Sequence, residues 1–154
     1  MSPDFQILLI DDSVPDAKII GRALIEAGVP HRLTVIHDGR QALDHLRNLR
    51  DPALSTDREP DLILLDLNLP GIDGIQILTE IKNDFHLKLI PVVVLSTSRR
   101  DEDVLSTYRA GANTFIQKPA EFPRYIDLVL TLRGYWHQTA LRLPRDRSGS
   151  GEGV

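Results

Sequence analysis

The chain has 154 residues, the size of one domain and long enough to bury a full core without covalent staples. A hydrophobic fraction of 42% fits a folded globular protein, and the lack of cysteine excludes disulfides, thiolate metal sites and cysteine nucleophiles together. A formal net charge of −4 argues against a nucleic-acid binder, because phosphate contacts need a basic surface.

No apolar run approaches the ~20 residues needed to span a bilayer. Asp4 stands among the opening residues, with no basic stretch ahead of an apolar one, so no secretory leader is expected. The expected setting is a reducing cytoplasm, with no membrane partner.

Five short apolar runs alternate with amphipathic stretches. The first run is Phe5–Ile10. It leads into a helical pattern with Pro15 near its start and Gly28 just past its end, where Ala17, Ile20, Leu24 and Ala27 recur at steps of three and four. Leu33–Ile36 is the second run, followed by a helix over Gly39–Leu49. The polar segment Arg50–Glu59, with Pro52 and Ser55, reads as a lengthened loop. Leu62–Leu65 is the third run, with a helix over Asp73–Lys82. Pro91–Leu95 is the fourth, with a helix over Asp101–Ala110. Thr114–Ile116 is the fifth, and the last helix is expected to begin with Pro123 at its first position. The tail from Arg145 to Val154, with Ser148, Gly149, Ser150 and Gly151, is expected to be disordered, leaving one domain over 1–144. No internal repeat is evident.

Strict strand–helix alternation implies a parallel α/β sheet with right-handed crossovers. Such sheets bind ligands outside the carboxyl ends of their strands. At those positions stand Asp11 and Asp12 after the first strand, Asp66 at the end of the third, Ser96 at the end of the fourth, and Lys118 with Pro119 after the fifth. Each close pair of carboxylates repels by about 4 kcal/mol at an effective dielectric of 20. One lysine cannot offset three anions, whereas a divalent cation can, and an all-oxygen donor set favours Mg²⁺ or Mn²⁺ over zinc. The cation would also let a carboxylate attack a phosphorus already ringed by negative oxygens, with Lys118 and the Ser96 hydroxyl holding the others.

The stretches "ILLIDDS", "DLILLDLNLPGIDG", "VVVLSTS" and "FIQKP" occur in order over roughly residues 5–140. Together they resemble the receiver domain of bacterial two-component response regulators. The resemblance implies a flavodoxin-like (βα)5 doubly wound parallel sheet, strand order 2-1-3-4-5, here with an extended C-terminal helix. It implies that Asp66 is the phosphoacceptor, that Asp11 and Asp12 position Mg²⁺ (Asp12 more directly), and that the backbone carbonyl of Asn68 completes the metal site. Ser96 is then the switch hydroxyl, Phe115 the switch aromatic and Lys118 the phosphate-binding lysine, and the Lys118–Pro119 bond is expected to be cis. Ser96 replaces the commoner threonine but keeps a hydroxyl. Phe115 replaces a common tyrosine, which confines it to packing. The long loop, the "LSTS" motif and the aromatic last helix resemble single-domain regulators of phytochrome-type sensor kinases, so a sensor histidine kinase, for instance a bacteriophytochrome, is the implied partner.

Plainer readings compete at several positions. Asp11 and Asp12 suit a helix cap, Asp66 a turn and Lys118 an exposed turn, but their coincidence at strand ends favours a shared site. Thr97 and Ser98 continue the Ser96 hydroxyl run, with Ser98 a candidate cap for the fourth helix. His31, His37, His45, His86 and His137 lack ligand spacing. Phe122, Tyr125, Val129, Leu132 and Trp136 form one stripe of the last helix. Ile126, Leu128, Leu130 and Leu141 add apolar surface outside it, and a second buried face there would be a homodimer interface. No residues remain for a DNA-binding output domain after about residue 144, so output is expected through a partner or the dimer. A rival enzyme reading is a phosphohydrolase with Asp66 as nucleophile, but Asn68 cannot serve as its acid. A flavin-binding reading shares the topology, yet acidic residues after the first strand would repel a flavin phosphate.

Overall fold

A computed structural model describes residues 4–69 and 71–139. The apolar contribution of Leu141, the expected tail from Arg145 and the domain limit at 144 lie outside the described residues. The elements are β1 (Phe5–Ile10), α1 (Val14–Glu26), β2 (His31–Ile36), α2 (Gly39–Asn48) and β3 (Leu62–Asp66). They continue with α3 (Gly74–Asn83), a 3₁₀ turn (Leu87–Leu89), β4 (Val92–Ser96), α4 (Asp101–Arg109), β5 (Thr114–Gln117) and α5 (Phe122–Leu132). A wider-wound stretch, Arg133–Thr139, carries α5 onward.

All five strands are parallel, in the order β2-β1-β3-β4-β5. Successive strand residues point to opposite faces, and both faces are covered. Leu8, Ile10, Ile63, Leu65, Val92 and Val94 pack against α2 and α3. Phe5, Ile7, Leu9, Leu62, Leu64, Val93 and Leu95 pack against α1 and α5. The three central strands are buried along their whole length, which is why they read as unbroken apolar runs. β2 begins two residues ahead of its apolar run, because Phe5 and Gln6 pair with His31 and Arg32 and extend the ladder through polar residues.

Helix ends follow local chemistry. Ser13 caps α1, its Oγ accepting from Asp16 N at 3.2 Å, so Asp11 and Asp12 are not the cap. Asp73 caps α3 in a reciprocal capping box with Gln76. Glu121 is the N-cap of α5, which puts Pro123 second rather than first; an N–H at either position would lack a helical acceptor, so the proline forfeits no helical bond. The loop after α2 is closed by an Arg50–Glu59 ion pair at 2.9 Å.

Of the last helix's stripe, Tyr125, Val129 and Leu132 are buried, while Phe122 and Trp136 pack on the same core. Ile126 and Leu128 also lie against it, so part of the surface expected at a second interface is covered by the domain itself. Leu130 and Tyr135 are exposed.

Candidate phosphoryl-acceptor and metal site

The strand ends converge because their ladders stay in register to the last residue. Ile10 pairs with Ile36 and Leu65, Asp66 with Leu95, and Ser96 with Gln117. The residues that follow therefore emerge side by side at one rim. Asp11 is fully buried: its backbone N–H donates to Ile36, and its Oδ1 accepts from Ser13 N at 2.9 Å. Asp12 is exposed next to it. Asp66 ends β3, with Oδ1 accepting from Asn68 N at 3.2 Å. Ligand atoms from Asp11, Asp12 and Asp66 all lie within 4.8 Å of one another.

Lys118 reaches this group from beyond β5. Its backbone N–H donates to the Ser96 carbonyl at 2.7 Å, and its side chain is 8% exposed. The Nζ stands 3.2 Å from Asp11 Oδ2 and 3.4 Å from Asp66 Oδ2. Asp16 Oδ2, in the first turn of α1, is closer still at 2.9 Å. The Lys118–Pro119 peptide is trans, against the cis expectation, and no described peptide bond is cis. Trans is the preferred form of an X–Pro bond by about 0.5–1 kcal/mol, and the lysine meets its carboxylates in it.

Burial pushes the Asp66 carboxyl up to about 6; Lys118 opposes that rise and Asp11 reinforces it. Burial by itself would lower the Lys118 ammonium, but the hydrogen bond to Asp16 and the charges of Asp11 and Asp66 raise it above its ordinary value. Both shifts have one origin, an excess of negative charge in a poorly solvated place. Hard oxygen donors crowded in this way suit Mg²⁺ or Mn²⁺, so the donor set fits a divalent cation.

Ser96 is buried at the end of β4, and its Oγ accepts from Ser98 N at 3.1 Å. Ser98 does not cap α4; its Oγ donates to Asp103 in the helix's first turn and accepts from Arg100 N. Phe115 is half-buried against the core on the α3 side, and its backbone N–H donates to the Tyr108 hydroxyl at 3.1 Å. Of the histidines, His37 bonds through Nδ1 to the Asp11 carbonyl at 2.8 Å and His31 to that of Val29 at 2.7 Å.

Two positions escaped the sequence reading. Asp16 reads there only as an acidic residue favoured near a helix N-terminus, and nothing in its spacing from Asp11 marks it as facing Lys118. A Cβ on Gly74 would lie 2.5 Å from Leu67 Cα and 2.7 Å from the Asp66 carbonyl, so only glycine lets α3 begin against the backbone of Asp66 and Leu67. The repeated glycine of "LPGIDG" was the available signal.

Comparison with known proteins agrees with this geometry. Residues 7–130 match the response regulator receiver domain. The chain is 36% identical to the response regulator Rcp1 of Synechocystis sp. over 138 residues, covering 90% of this chain and 92% of that protein. The structure of the phosphorylated cyanobacterial phytochrome response regulator RcpA superposes with a TM-score of 0.82 at 39% identity, covering 92% of this chain and all of that one, 100%. The Mn²⁺-bound form of Rcp1 gives 0.79 at 34% identity, over 92% and 100% of the two chains. With an acidic cluster and a lysine at the carboxyl rim of a 2-1-3-4-5 sheet, this chain belongs to the response regulator receiver family.

Proposed function

We propose that this protein is a stand-alone response regulator in which Asp66 accepts a phosphoryl group from a phosphohistidine of a sensor histidine kinase. An Asp66 carboxylate oxygen forms the new P–O bond, the P–N bond of the donor breaks, and its electron pair returns to the imidazole, which takes up a proton. The observation that carries this reading is the meeting of Asp11, Asp66 and Lys118 from the ends of three different strands, with Lys118 3.4 Å from Asp66. Asp11, Asp12, Asp66 and the backbone carbonyl of Asn68 hold Mg²⁺. When bound, Mg²⁺ neutralises the charge that builds on the phosphoryl oxygens. Lys118 holds a further oxygen, and burial keeps competing water from the acyl phosphate.

Likeness to a phytochrome response regulator supports a phytochrome-type kinase as donor. Ser96 turns its hydroxyl to the phosphoryl group and gives up its bond from Ser98 N. Phe115 packs into the space so vacated, which biases an existing equilibrium of α4, β5 and α5. The protein works in the cytoplasm without nucleic acid or membrane, and it dimerises through the region of its C-terminal helix, where Leu130 and Tyr135 are exposed. No described helix is long and apolar enough to cross a membrane.

The deciding experiment incubates wild type and Asp66→Asn with acetyl phosphate and Mg²⁺ and measures acid-stable, base-labile phosphate by mass spectrometry. One phosphate per wild-type chain and none on the variant is the expected result; undiminished labelling of the variant would sink the assignment.

A further inference from the structure

Lys118 is shared unequally among three carboxylates. Its nearest partner is Asp16, at 2.9 Å, and Asp16 lies outside the group formed by Asp11, Asp12 and Asp66. The Lys118 ammonium donates to Asp16 Oδ2 and Asp11 Oδ2, and it makes a longer ion-pair contact with Asp66 Oδ2 at 3.4 Å. Asp16 is well placed for its share. Its backbone N–H is pinned to the Ser13 cap, and its side chain is 34% exposed where that of Lys118 is 8%. It also acts toward the interior between α1 and α5: the phenol of buried Tyr125 is pushed up first by burial and then by the Asp16 charge.

We propose that Asp16 is a positioning residue that draws the Lys118 ammonium toward α1 and thereby leaves Asp11 and Asp66 available to Mg²⁺. The inference rests on the reading of Asp11, Asp12 and Asp66 as the metal's ligands. Ammonium and divalent cation compete for the same oxygens, Asp11 Oδ2 and Asp66 Oδ2 being the ones Lys118 touches. Without the Asp16 carboxylate the ammonium is left to Asp11 and Asp66, and the metal must displace a tighter pair. With it, the contact most easily surrendered is the longest, the ion pair at 3.4 Å to Asp66, and the ammonium can meet a phosphoryl oxygen while Asp16 retains it.

The test is calorimetric titration of the full chain with Mg²⁺ in wild type, Asp16→Asn, Asp16→Glu, Lys118→Met and the Asp16→Asn/Lys118→Met double variant. Asp16→Asn is expected to raise the Mg²⁺ dissociation constant about fivefold, the scale of one partly exposed ion pair. Asp16→Glu should recover most of that loss. With Lys118 replaced, the Asp16→Asn change should shrink below about twofold, because the effect travels through the lysine. Lys118→Gln serves the same purpose if the methionine disturbs the fold. The half-saturating Mg²⁺ for phosphorylation of Asp16→Asn by acetyl phosphate should rise with the dissociation constant. Unaltered Mg²⁺ affinity in Asp16→Asn overturns the inference, as does an equal loss with and without Lys118, which would mark a remote charge effect. Absence of Mg²⁺ binding by wild type would instead overturn the metal-site reading itself.

Discussion

Every residue of β3 and β4 is buried and none of β5 is, although the three strands are neighbours in one sheet. The helices differ in the same sense: α1 buries Ala17, Ile20, Ala23 and Leu24, whereas α4 buries only Thr107. Asp11 and Asp66 therefore stand at the ends of fully buried strands, while the α4–β5 segment, part of the region proposed to relay the signal, buries few of its residues. Its ties are polar: Phe115 N to the Tyr108 hydroxyl, Ser98 to Asp103, and Arg100 to Asp103. A region held by few buried contacts opens at low free energy, and such a region can follow a small change at Ser96 without unfolding the site.

The largest expected effect tests the rigid side. Asp66→Asn should abolish phosphoryl acceptance while leaving the fold intact, read by labelling alongside circular dichroism. Next comes the core itself. Leu64→Ala, at a fully buried position, should cost about 2–5 kcal/mol in urea unfolding. Leu105→Ala, exposed on α4, should change stability by no more than about 0.5 kcal/mol. Similar costs at the two sites would dissolve the contrast between centre and edge.

The pH dependence of the metal-free protein sharpens the same contrast. Asp66 rises from 3.8 to about 6 on folding, chiefly through burial. Below about pH 4 the group is protonated in both states and contributes nothing. Between pH 4 and 6 the unfolded chain releases the proton and the folded chain keeps it, so stability falls as pH rises, by about 2–3 kcal/mol in all. Asp66→Asn should remove that decline and be the more stable protein at pH 7. Added Mg²⁺ should restore wild type more than the variant. A metal-free wild type as stable at pH 7 as at pH 4.5, with no change on substitution, would mean that the site is better solvated than its burial indicates.

A further small effect lies at the edge. Tyr108→Phe removes the acceptor of the Phe115 N–H and should cost about 1 kcal/mol or less. Its clearer sign is faster amide exchange at Phe115, with central-strand amides such as Leu64 unchanged. Exchange rising equally in both places would show that edge and centre open together.

Much of this was written in local sequence. The apolar runs of β1, β3 and β4 are legible because strands covered on both faces carry few polar residues, and their carboxyl ends point to Asp11, Asp66 and Ser96. Asp12 and Lys118 follow from the same rule. Boundaries depended on finer chemistry: β2 runs into polar His31 and Arg32 because pairing with β1, not hydrophobicity, sets its length, and α5 starts at Phe122 because a proline is tolerated at either of its first two positions.

Tertiary structure alone decided the rest. Asp16 and Lys118 are 102 positions apart, and only the folded arrangement of the first turn of α1 and the residue after β5 brings them to 2.9 Å. The trans peptide before Pro119, the close approach of Gly74 to Leu67, and the seating of Ile126, Leu128 and Trp136 on their own domain have the same character. The sequence by itself determined which side chains reach the rim, because strand periodicity and strand ends are local properties. Which of them share the single ammonium, and how much of the last helix stays exposed, depends on distances between segments far apart in the chain, and those are set by packing.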